Sequence, residues 1–66
     1  MFTIIGCLGT VVAQADTIDA AIDAVRSQIP LTDKKVRAMR NALPKLSGAA
    51  EHHVDYGGSG CTVRLA

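Results

Sequence analysis

The residues best equipped for chemistry in this chain lie near its C-terminal end. His52 and His53 are adjacent, Gly57-Gly58-Ser59-Gly60 follows shortly, and Cys61 comes next, while the second thiol, Cys7, sits near the start. A histidine pair invites a metal reading. Adjacent residues of a strand point to opposite faces, however, so His52 and His53 cannot share one ion. With Cys7 and Cys61 the only thiols, a four-ligand zinc site is short of donors within one chain. No metal and no cofactor is expected. Cys61 with His52 as its base would make a minimal thiol enzyme, since both can lie on one sheet face. That face is also the one helices should cover, and an inert buried thiol is the stronger expectation. The glycine-rich tetrapeptide has the composition of a phosphate-cradling loop. Such a loop needs a helix N-terminus behind it and usually a lysine. Here a strand pattern follows, so a hairpin turn is expected.

The other candidate surface is cationic. Lys34, Arg37, Asn41 and Lys45 recur at helical spacing opposite an apolar stripe, with Lys35 and Arg40 flanking them. Such a face can contact phosphates or an acidic protein surface. No aromatic residue is interleaved for base stacking, and Pro30 occupies the connection where a helix-turn-helix has its short glycine-containing turn. A plain solvated face is the simpler account, because charged faces are the default for surface helices.

The elements that must position these residues follow from composition and periodicity. A chain of 66 residues is one domain near the lower limit for a self-sufficient core. Hydrophobic residues make up 48 % but aromatics only 3 %, so the core must come from Ile, Val, Leu and Ala. A net charge of +1 supplies no overall attraction to nucleic acid or anionic membrane. Two cysteines permit one disulfide and no dense secreted framework.

From Asp16 to Gly48 the pattern is a helical hairpin. Ile18, Ile22, Val25 and Ile29 form one apolar stripe, and Val36, Met39, Leu43 and Leu46 form another. Asp16 or Thr17 caps the first helix, which ends by Gln28 ahead of Pro30. Thr32 caps the second, with Leu31 and Val36 at the two positions of a hydrophobic staple. Pro44 removes the bond to the Arg40 carbonyl, so the regular helix should end or kink at Asn41 to Leu43. Gly48 is the expected left-handed terminator.

Strands flank the helices. Phe2 to Cys7 and Thr10 to Ala15 read as a hairpin around Leu8-Gly9, with a single strand and loop as the rival. Met1 to Ala15 is apolar and ends in an A-x-A-like pattern. Yet no Lys or Arg precedes Arg26, and Gly6 and Gly9 interrupt the run, so a structured N-terminus and a cytoplasmic protein are expected. No apolar stretch is long enough to span a bilayer. His52 to Tyr56 and Cys61 to Leu65 read as a second hairpin. A four-residue connection would pair Tyr56 with Cys61 and Val54 with Val63. Val54, Tyr56, Cys61, Val63 and Leu65 then share one face, and His53, Asp55, Thr62 and Arg64 the other.

The expected fold is therefore a single α+β domain over residues 1–66, in the order strand, strand, helix, helix, strand, strand, with the helix pair on one face of a small antiparallel sheet. If the first and last strands are antiparallel neighbours, matching their alternation sets Cys7 opposite Cys61, Ile5 opposite Val63 and Thr3 opposite Leu65. That register turns Phe2 and Ile4 to the uncovered face, which predicts a homodimer joined there or edge to edge through the first strand. The competing account folds Phe2 inward, by a shifted register or a curled sheet, and leaves a monomer.

Three function classes follow. The favoured one is a small non-enzymatic protein that binds another protein as an adaptor or inhibitor, of the sort accessory and mobile-element genes encode. The second is a nucleic-acid binder using Lys34, Arg37 and Lys45. The third is the minimal Cys61/His52 enzyme.

Overall fold

Both helices start as their sequences dictate. Thr17 and Thr32 hold extended backbone, and each threonine Oγ1 accepts from the amide three residues on, Ala20 at 3.1 Å and Lys35 at 3.2 Å. The computed structural model describes residues 1–65. Within it α1 spans Ile18–Arg26 and α2 spans Asp33–Ala42. Pro44 acts as expected: α2 gives way to a 3₁₀ turn over Leu43–Lys45, and Gly48 then takes a left-handed φ of 59°.

Four strands complete the order ββααββ: β1 (Phe2–Ile5), β2 (Val11–Ala15), β3 (Glu51–Tyr56) and β4 (Ser59–Leu65). They form one antiparallel sheet in the order β2-β1-β4-β3, which places the chain's two ends side by side at its centre. The α+β class and element order are those expected from the sequence. α1 packs over β1 and β2, and α2 over β3. The core between the layers gathers Ile22, Val25, Met39 and Leu43 from the helical side with Ile4, Val54, Cys61 and Val63 from the sheet. Among the described residues no helix is long and apolar enough to cross a membrane.

Two registers differ from expectation. The β3–β4 hairpin turns on two residues, Gly57-Gly58, rather than four, so Tyr56 pairs with Ser59 and Val54 with Cys61. Both glycines have positive φ, 57° and 87°, as a tight turn matched to strand twist requires. A displacement of two residues preserves faces, so Val54, Cys61 and Val63 still point inward. Tyr56 does not remain with them: beyond the helices' cover, it is 48 % exposed.

The β1–β4 register departs by one residue, and one residue reverses a strand. Phe2 pairs with Leu65, Thr3 with Arg64, Ile4 with Val63 and Ile5 with Thr62. Phe2 and Ile4 are therefore buried under the helices, and Ile5 moves to the open face, only partly exposed. The side chains expected to form the dimer surface, Phe2 and Ile4, are thus buried inside the domain by a shifted register. The expected Cys7–Cys61 pairing fails with the same register, since carrying it past Ile5 sets Cys61 against Gly6. Both thiols are free, Cys7 exposed and Cys61 buried.

Candidate functional site

The cationic face is built by α2 and, at Lys45, by the 3₁₀ turn that follows it. The inner side of α2 buries Met39, with Val36 and the following Leu43 beside it, which turns Lys34, Arg37, Asn41 and Lys45 outward as expected. All four are exposed, and none of them takes part in an ion pair or side-chain hydrogen bond within the described residues. The two flanking cations are engaged. Arg40 donates from Nη1 to Oδ1 of Asp19 at 2.6 Å, tying α2 to α1. Lys35 reaches the other way, donating from Nζ to the backbone carbonyl of Asp55 on β3. The same ammonium lies 5.9 Å from the Tyr56 ring centroid, within cation–π range. Intramolecular partners thus divide the basic residues of α2 into two that hold the fold and a group left for solvent.

Lys35 also marks a feature that sequence patterns did not single out. α2 and β3 run beside each other and leave a shallow cleft of about 170 Å³, lined by Lys35, Ala38, His52, His53, Val54 and Asp55. β3 is an edge strand, and its outer side carries backbone groups with no strand to receive them. The signal available in the sequence was the i, i+3 pair Lys35 and Ala38 on the flank of the apolar stripe. A second shallow hollow, about 440 Å³, lies against Gly48, Ala49, Glu51, Arg64 and Leu65.

His52 and His53 lie on opposite faces of β3, as their adjacency requires. His52 is half-buried in the cleft, and its pKa is lowered by burial first and by the neighbouring His53 second. His53 lies on the open face in a hydrogen-bonded row. Its Nδ1 is 3.0 Å from Thr62 Oγ1 and its Nε2 is 2.9 Å from Asp55 Oδ1. In the neutral ring, Nε2 donating to the carboxylate leaves Nδ1 to accept from the hydroxyl. The order hydroxyl, imidazole, carboxylate is that of a nucleophile and its base, but the imidazole is 53 % and the carboxylate 82 % exposed. Water competes for each of these groups, and the row's direct effect is to join β3 to β4 across the open face. No group of three or more His, Cys, Asp or Glu suited to a metal occurs among the described residues.

Cys61 lies under the helices at 1 % exposure, and burial first, then the nearby Cys7, pushes its thiol up. A thiol held protonated and away from solvent is a poor nucleophile. His52 is opposite Val63 rather than Cys61. Gly57-Gly58-Ser59-Gly60 is turn and strand start: Ser59 Oγ donates to the Tyr56 carbonyl at 3.1 Å, and β4 follows directly. Apolar side chains also gather in the β1–β2 hairpin, where Leu8 is 88 %, Val11 55 % and Val12 39 % exposed. A bulge there sets Val12 as the extra residue between the Ile4 and Ile5 pairings.

Comparisons of the chain with protein-family models, curated proteins and solved structures give no match.

Proposed function

We propose that the protein is a small binding module, of adaptor or inhibitor type, that presents the outer face of α2 to an acidic surface of another protein. The observation that carries the reading is the division of labour along α2. Arg40 is held by Asp19 and Lys35 by the Asp55 carbonyl, while Lys34 and Arg37 on α2 and Lys45 in the 3₁₀ turn after it are exposed and have no intramolecular partner among the described residues. Asn41 lies among them and adds a neutral donor and acceptor. Opposite charge across an interface steers encounter and fixes register, and an exposed cationic face on a rigid helix suits that task. Both hollows are shallow, which fits contact with a surface better than enclosure of a small substrate.

Titration against polyglutamate, duplex DNA and single-stranded RNA at two salt concentrations tests the reading. Polyglutamate should bind the wild type and lose most of its affinity when Lys34, Arg37 and Lys45 are replaced together by serine. Tighter binding of DNA or RNA, weakening steeply with salt, would move the reading to nucleic acid. Indifference of every ligand to the triple replacement would remove α2 as the surface.

A further inference from the structure

The geometry points to a strand-docking site along the outer edge of β3, shaped for an extended acidic segment of a partner polypeptide. This inference rests on the reading of α2 above and extends it to the cleft beside the helix. In an antiparallel ladder alternate residues turn both backbone groups towards one neighbour. Tyr56 and Ser59 close the two-residue turn as a bonded pair, so the even-numbered residues of β3 face β4. Glu51, His53 and Asp55 therefore present N–H and C=O outward. The bond from Lys35 Nζ to the Asp55 carbonyl is an independent sign of this set, because that carbonyl is reached from outside the sheet.

Lys35 occupies the place where the first N–H of an added strand would donate. A flexible lysine is a removable occupant, and the exchange conserves hydrogen bonds: the incoming N–H takes the carbonyl, and the freed ammonium takes a carboxylate. Side chains of an added strand alternate between the two sheet faces. Those on the helical side enter the cleft over Ala38 and Val54, beside Lys35. A carboxylate on that side meets Lys35, whereas one on the open face would meet Glu51 and Asp55, so acidic residues belong at alternate positions. Pairing of β3 with β3 of a second copy is disfavoured, because antiparallel alignment about His53 sets Glu51 against Asp55 of the other copy. The opposite edge, β2, is interrupted by its bulge, so β3 is the edge with the longer regular ladder.

The test uses an acetylated, amidated heptapeptide alternating threonine and glutamate, with a control in which two alternate threonines are proline. Amide hydrogen exchange on the bound protein should slow at Glu51, His53 and Asp55, and the proline peptide should bind at least about tenfold more weakly, since it lacks ladder donors. Equal binding of the two peptides with no protection of those amides would overturn the edge site and leave the cationic face of α2 standing. Failure of both peptides while polyglutamate still binds would overturn it in the same way. Loss of polyglutamate binding as well would remove both readings.

Discussion

Ile4 and Val63 face each other across the two central strands, and both are fully shielded from solvent beneath the helices. The pairing joins the first and last segments of the chain, so the core is closed by contacts between its most distant parts. It also decides which half of β1 is core and which is surface.

Adjacent isoleucines in β1 should accordingly behave very differently. Ile4→Ala should cost about 2–5 kcal/mol, the range for truncating a fully buried aliphatic side chain. Ile5→Ala, on the open face, should cost about 1 kcal/mol or less. Urea unfolding of the two variants measures this directly. Equal losses, or a larger loss at Ile5, would place β1 in the other register.

Gly60 is required by space as well as by backbone angle. A Cβ there would stand 1.9 Å from the Val54 carbonyl oxygen, at a φ of +150°. Gly48→Ala, where nothing lies within 4 Å, should cost only the left-handed strain of about 1–2 kcal/mol. Gly60→Ala should cost clearly more and perturb the amide shifts of Val54 and Asp55. Matching losses for the two variants would show that the hairpin can open around the methyl group.

The half-buried His52 makes stability depend on pH. Its folded pKa is below the ordinary 6.5, because burial, and then His53, disfavour the imidazolium. The unfolded chain therefore binds the proton more readily. Stability from this group is fully present above pH 6.5 and falls as the pH drops from there to the folded pKa. Unfolding midpoints across that window should decline less for His52→Gln than for the wild type. Parallel declines would assign the acid sensitivity elsewhere.

The two thiols should react on different timescales. Cys7 is exposed, whereas Cys61 is buried with its thiol pushed up by burial. Iodoacetamide under native conditions should add one group, at Cys7, with the second appearing only on unfolding. Rapid double labelling of the native protein, read by mass spectrometry, would mean that the β4 end of the core opens readily.

The helical half was legible because its signals are local. Two apolar stripes, a threonine at each start and Pro44 at the end of α2 place the helices without reference to the rest of the chain. The inward face of β4 was equally readable: Cys61, Val63 and Leu65 alternate with Thr62 and Arg64, and shortening the turn by two residues leaves that alternation in place. The outward placement of Lys34, Arg37, Asn41 and Lys45 follows from the same helical period.

β1 carried no such instruction. Phe2, Ile4 and Ile5 put apolar residues on both of its faces, so either register satisfied the pattern, and the choice fell to pairing with a strand some sixty residues away. Tertiary packing set Ile4 against Val63, buried Phe2 and separated Cys7 from the position opposite Cys61. It also brought Lys35 to the Asp55 carbonyl, a contact between a helix flank and a sheet edge that no periodicity encodes. Residues close in sequence declare their relation through spacing, whereas those joined only by folding are matched by the space and the backbone groups that the assembled layers leave open.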